Sequence, residues 1–191
     1  MYREVSKLMN EYKDIPLYGI LLFTESHPHV IKMLKDADYF SALDTITDTN
    51  LALFSTVLFN GHYEFPEPTP GSLAMKVQIW REPHQNMKLL RWFDIDDSRA
   101  LPLLVIWGYE SDGFYFQKYS IEGEDSKDIY NNLNVVLSRI SQSVQKAKSN
   151  NIVDKQKIFK QARWEIRKLE KHQKIKNFFE TVSMFRGAIG I

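Results

Sequence analysis

Cysteine is absent from this 191-residue sequence. Its absence excludes disulfides, thiolate nucleophiles and thiolate metal ligands, and with them the usual framework of a small secreted domain. Long apolar runs are missing as well. No stretch approaches the roughly 18 consecutive apolar residues of a membrane span, and Met1 to Val5 mixes acidic and basic side chains where a signal peptide needs an apolar centre. The expectation is a cytoplasmic protein with no membrane association. There is also no Gly-rich phosphate loop, nucleotide fingerprint or spaced set of metal carboxylates, so no cofactor and no metal is expected.

What is present suits one good core, or a domain with an appendage. Aromatic residues make up 13% of the chain, a supply of large side chains that bury well. The net charge of +1 hides an asymmetry: residues 146–191 hold twelve Lys and Arg against four Asp and Glu, a balance of +8, and residues 1–145 carry −7. A basic segment beside an acidic body suits docking on that body, contact between copies, or an acidic partner such as nucleic acid.

The stretch from Leu101 to Gly123 organises the chain. Leu101 to Trp107 is almost unbroken in its apolar character, which predicts a strand in the middle of a sheet. Ser111-Asp112-Gly113 then supplies a tight turn, and Phe114 to Ile121 alternates aromatic and polar residues as a returning strand should. By the same argument Tyr18 to Phe23 and Leu51 to Phe59 are buried strands, and the helical residues between them make a parallel crossover.

Helical spacing predicts the rest. Val5, Leu8, Met9 and Tyr12 mark a short helix over residues 2–13, and a stripe from Val30 through Ile46, bent near Asp36 to Asp38, comes after a cap at Ser26 with Pro28 in the first turn. Pro66, Pro68 and Pro70 make an extended insertion of about residues 60–85, with an extra strand near Met75 to Trp80 and a helical face at Met87, Leu90 and Phe93. Glu124-Asp125-Ser126 opens a helix with Ile129, Leu133, Val136, Leu137, Ile140 and Val144 inward. A second long helix starts at Asp154, and roughly thirty residues of it would span about 45 Å.

This order of elements resembles the thioredoxin fold over residues 1–148, with residues 152–191 as a C-terminal helical extension. Leu101-Pro102 sits where that family places a cis-proline before its third core strand, preceded by Phe93-Asp94-Ile95-Asp96. Ser26-His27-Pro28-His29 overlies the family's Cys-Gly-Pro-Cys motif. The fold class implied is α/β: a thioredoxin-like mixed sheet flanked by helices, with a long basic amphipathic helix at the end. Ser26 and His29 stand where the two cysteines would be, so thiol–disulfide exchange is excluded.

The sequence supports three readings of function. The first is a non-enzymatic adaptor, with Ile158, Ala162, Ile166, Leu169 and Phe179 making contacts to a protein partner or a second copy; the helix that carries them either folds back over residues 1–148 or packs on another chain. The second is an enzyme or ligand-binding protein using Ser26, His27, Pro28, His29 and Pro102, because a helix N-terminus attracts anions; against it, the turn reads as a cap with two exposed histidines. The third is nucleic-acid association through a stripe of Lys160, Arg163, Arg167 and Lys171; against it, those residues read as a solvated outer face. His27, His29, His62 and His84 could gather as a metal set, and unrelated histidines are the commoner case. The adaptor reading leads, because the apolar stripe of the last helix is best explained by packing on protein.

Overall fold

Seven consecutive residues, Leu17–Phe23, form strand β1, and all are buried, as a run apolar on both faces requires. β2 (Leu51–Val57) lies parallel beside it, with Leu17 opposite Leu51 and Phe23 opposite Val57. β3 (Met75–Val77) continues the parallel set beyond β2. On the other side β4 (Leu103–Glu110) runs antiparallel to β1, and β5 (Gly113–Ser120) returns antiparallel to β4. The sheet order is therefore β3-β2-β1-β4-β5. The computed structural model describes residues 7, 9–57, 75–77, 89–95, 100–110 and 113–189, and their side chains except at 56–57, 75–77, 109–110, 113 and 176–189.

The apolar run beginning at Leu101 occupies the interior position expected of it, as β4, between β1 and β5. The parallel β1–β2 pair agrees with the crossover read from the sequence. The expected turn at Ser111-Asp112 and most of the 60–85 insertion lie outside the described residues, apart from β3. The same holds for Val5, Leu8, Met87, His62 and His84.

Alternation along β1 divides the core. Leu17, Leu21 and Phe23 belong to one face, and Tyr18, Ile20 and Leu22 to the other. The second face is covered by Met9, Tyr12 and Ile15 and by residues 89–95, where Leu89, Leu90, Phe93 and Ile95 gather with buried Trp107. Trp107 Nε1 donates to Met9 Sδ at 3.4 Å, and its ring lies 5.7 Å from that of Phe93.

The first face carries four helices: α1 (Pro28–Lys35), α2 (Ala37–Thr47), α3 (Ser126–Ser149) and α4 (Lys155–Ile189). The single bent helix expected across residues 28–46 is two helices. Asp36 is extended, with φ −80° and ψ 117°, and its Oδ1 accepts from the amides of Asp38 at 3.0 Å and Tyr39 at 3.3 Å. A carboxylate able to cap α2 thus turns a bend into a break. Asp125 does the same for α3, accepting from Asp128 N–H at 2.8 Å.

Residues of α4 join the same core cluster as α1, α2 and α3: Ile158, Phe159, Ala162 and Ile166 are all buried there. Lys155, at the start of the helix, reaches back to the carbonyls of Lys13 and Ile15. Among the described residues, no helix is long and apolar enough to cross a membrane.

Candidate functional site

β1 delivers the chain to the turn at Thr24–His27, where His27 N–H donates to the Thr24 carbonyl at 3.1 Å. Pro28 then enters α1 at its first turn, where a missing N–H costs nothing. The expected cap at Ser26 is not what forms. His27 occupies the N-cap position without a side-chain cap bond, and Ser26 is exposed, its Oγ 2.6 Å from Thr24 Oγ1. With His27 as the N-cap, Pro28 takes the first helical position, the one that proline favours.

The His27 ring has other work. Its Nδ1 accepts the Thr24 N–H at 3.1 Å and lies 2.8 Å from Thr24 Oγ1, and its Nε2 lies 3.0 Å from the Leu101 carbonyl. A carbonyl only accepts, so the tautomer that satisfies both contacts carries its proton on Nε2. The Leu101–Pro102 peptide is cis, and the turn and the proline segment lie together, as the thioredoxin resemblance implies.

The chemistry available at this turn is small. Both ring nitrogens of His27 are engaged by backbone of the same chain. Pro28 and His29 are exposed, and Ser26 is bonded to a threonine hydroxyl rather than to a base. A nucleophilic serine needs a base within reach and that base needs an orienting group, an arrangement these contacts do not make. Among the described residues, no three His, Asp or Glu side chains gather as a metal site would require.

The surface of α4 is richer. Of the apolar residues read as an interaction stripe, Ile158, Ala162 and Ile166 are sealed into this chain's own core, and Leu169 is half-buried against it. They dock the helix rather than present it. Phe179 lies on the helix, among the residues whose side chains are not described. Half a turn from the docked face, Trp164 is 57% exposed and Ile175 52% exposed. Sequence reasoning missed both Trp164 and the buried Phe159. The signal for Trp164 was its position two residues from Ala162 and Ile166, which at 3.6 residues per turn is nearly opposite them.

The basic stripe also divides. Arg163 stacks on the Tyr115 ring at 5.2 Å, and Arg167 Nε donates to Gln117 Oε1 at 3.1 Å, so both lie against β5. Gln117 Nε2 donates in turn to Glu170 Oε2 at 3.1 Å. Burial pushes the Glu170 carboxyl above its ordinary range, against the lowering effects of that bond and of Lys174 and Arg167. Lys160 and Lys171 are exposed, and Lys168 sits 3.0 Å from the Trp164 ring centroid and 3.2 Å from Glu165.

Trp164, Arg167, Lys168, Glu170, Lys171 and Lys174 surround a hollow of about 380 Å³. All six come from one helix, so the hollow is a bay between side chains rather than an enclosed ligand site. A second hollow, about 260 Å³, lies between α3 and α4 and is lined by Arg139, Gln142, Ser143, Lys146, Gln161 and Glu165. Neither hollow borders the Ser26–His29 turn.

No family model, curated protein or solved structure matches the chain.

Proposed function

We propose that this chain is a non-enzymatic, cytoplasmic domain of thioredoxin-like fold that acts as a protein-interaction module through α4. The fold assignment is supported by the parallel β1–β2 pair, the antiparallel β4–β5 hairpin and the cis Leu101–Pro102 bond held beside the α1 turn. Ser26 and His29 in place of the two cysteines remove the redox chemistry, and the commitment of both His27 nitrogens to backbone argues against a reused catalytic turn.

The observation that carries the reading is the two-sidedness of α4. Its inner face is core, and its outer face exposes a tryptophan and an isoleucine among lysines. Tryptophan is the residue most enriched at the energetic centres of interfaces, because it removes a large apolar area from water with few rotamers to freeze. The acidic balance of residues 1–145 favours a protein partner over nucleic acid, since a phosphate backbone would meet repulsion from most of the molecule.

The test is a comparison of two variant pairs by co-purification from native cells under identical conditions. Trp164→Glu with Ile175→Glu is expected to lose a stoichiometric protein partner that the wild type and Ser26→Ala with His29→Ala both retain. Retention by the α4 pair with loss by the turn pair would move the function to the turn.

A further inference from the structure

The apolar side of α4 changes face along its length. From Ile158 to Leu169 the apolar positions turn inward and pack on the sheet and α3. Continued on the same face, those positions become Gln173, Lys176 and Glu180 in sequence. On the opposite face, beginning with exposed Ile175, the sequence places apolar residues at 175, 178, 182, 185 and 189: Ile175, Phe178, Val182, Phe185 and Ile189. The spacing is three, four, three, four, which is the period of a two-helix seam.

Among the described elements, the helix also outruns its support. α4 has 35 residues and α3 has 24. The two run antiparallel, Gln161 and Glu165 facing Arg139 to Lys146 across their shared hollow. The difference in length corresponds to an overhang of about 16 Å at 1.5 Å per residue. The edge strand does not extend the cover: Glu170 is already bonded to Gln117, and β5 ends at Ser120.

We propose that residues 175–189 of α4 pair antiparallel with the same segment of a second copy of this chain. This rests on reading α4 as an interaction surface, and it names the partner. Two features select a second copy. The five apolar positions are nearly symmetric about Val182, so the stripe turned end for end meets itself in register, as a two-fold interface requires. The charges then set the direction. Lys168 and Lys171 continue the same register toward the body, so a parallel pair would stack each on its own copy. An antiparallel pair centred on Val182 separates the two Lys171 positions by about 33 Å along the helix axis, well beyond the Debye length of about 8 Å at physiological salt. Five side chains of this size from each copy remove on the order of 1,000 Å² from water, the lower bound for a specific interface, so the dimer is reversible and concentration-dependent.

Sedimentation velocity on the full chain across the micromolar range tests the pairing. The wild type is expected to shift from monomer to dimer, and Val182→Asp to remain monomeric with an unchanged thermal melt. Direction is read by single cysteines, which the cysteine-free sequence makes unambiguous. Under mild oxidation Ile175→Cys and Ile189→Cys proteins are expected to cross-link when mixed and not when alone; cross-linking of Ile175→Cys with itself would overturn the antiparallel pairing. A wild type that stays monomeric overturns self-association altogether. A hydrophobic dye then separates the two ideas. Dye binding that Val182→Asp removes leaves α4 an open surface for a different partner, whereas no such binding defeats the interaction surface as well.

Discussion

The ring of Phe159 lies against the backbone of Gly108, where an added Cβ would stand 2.8 Å from Cγ of the ring. The contact joins α4 to the interior strand β4, and Phe159 is fully buried by it. Removing the ring should cost about 3–5 kcal/mol, the usual range for a buried phenylalanine cut to alanine. Gly108→Ala should cost about 1–3 kcal/mol by overpacking. In a Phe159→Ala background the Gly108→Ala cost should fall, because the ring atoms at 2.8 and 2.9 Å are gone and only the Cβ of residue 159, at 3.1 Å, stays close. Urea unfolding of the four proteins measures this. Strict additivity would mean that the two residues do not bear on one another.

His27 and His29 flank one proline and should respond differently to alanine. His27 bridges Thr24 and the Leu101 carbonyl, so its loss leaves partners on two segments unsatisfied. A destabilisation of about 1–3 kcal/mol is expected. His29 is exposed, and its replacement should stay within about 0.5 kcal/mol. Equal effects in chemical denaturation would show that the bridge contributes nothing.

Most of the sheet was legible because the described side chains of β1, β2 and β4 are buried on both faces and their apolar runs say so directly. The hairpin and α3 were legible for a related reason, since alternation and a clean helical stripe each leave one interpretation of period. Asp36 shows where pattern reading stops: the apolar period runs on past it, while a side chain bonded to the Asp38 and Tyr39 amides breaks the helix. The Ser26 cap failed on a similar local choice: a cap at Ser26 or at His27 leaves Pro28 in the first turn, so the proline does not decide between them. Whether the stripe of Ile158, Ala162 and Ile166 docks on this chain or on another was not legible, because an apolar period reads the same in either case; their burial, with Phe159 against a glycine on a distant strand, commits them to this chain's own core. Gly108 carries no side chain to announce that contact.

Glu170 offers a prediction in pH. Its carboxyl is raised above the ordinary value of 4.5, chiefly by burial, with the Gln117 bond and the charges of Lys174 and Arg167 opposing. A raised carboxyl pKa means that the folded protein holds the proton more tightly than the unfolded chain does. Between the ordinary value and the raised one, the unfolded chain binds fewer protons, so stability falls as pH rises through that window. Above the raised value the whole cost of burying the charge is present; below 4.5 it is gone. Glu170→Gln removes the charge and keeps an oxygen able to accept from Gln117 Nε2. The variant should therefore unfold at higher urea than the wild type at about pH 7, and the gap should close as pH falls toward 4.5. A wild type more stable than the variant at neutral pH would mean that the lysine and arginine charges outweigh burial. A gap of constant size across the window would assign the effect to packing instead of protonation.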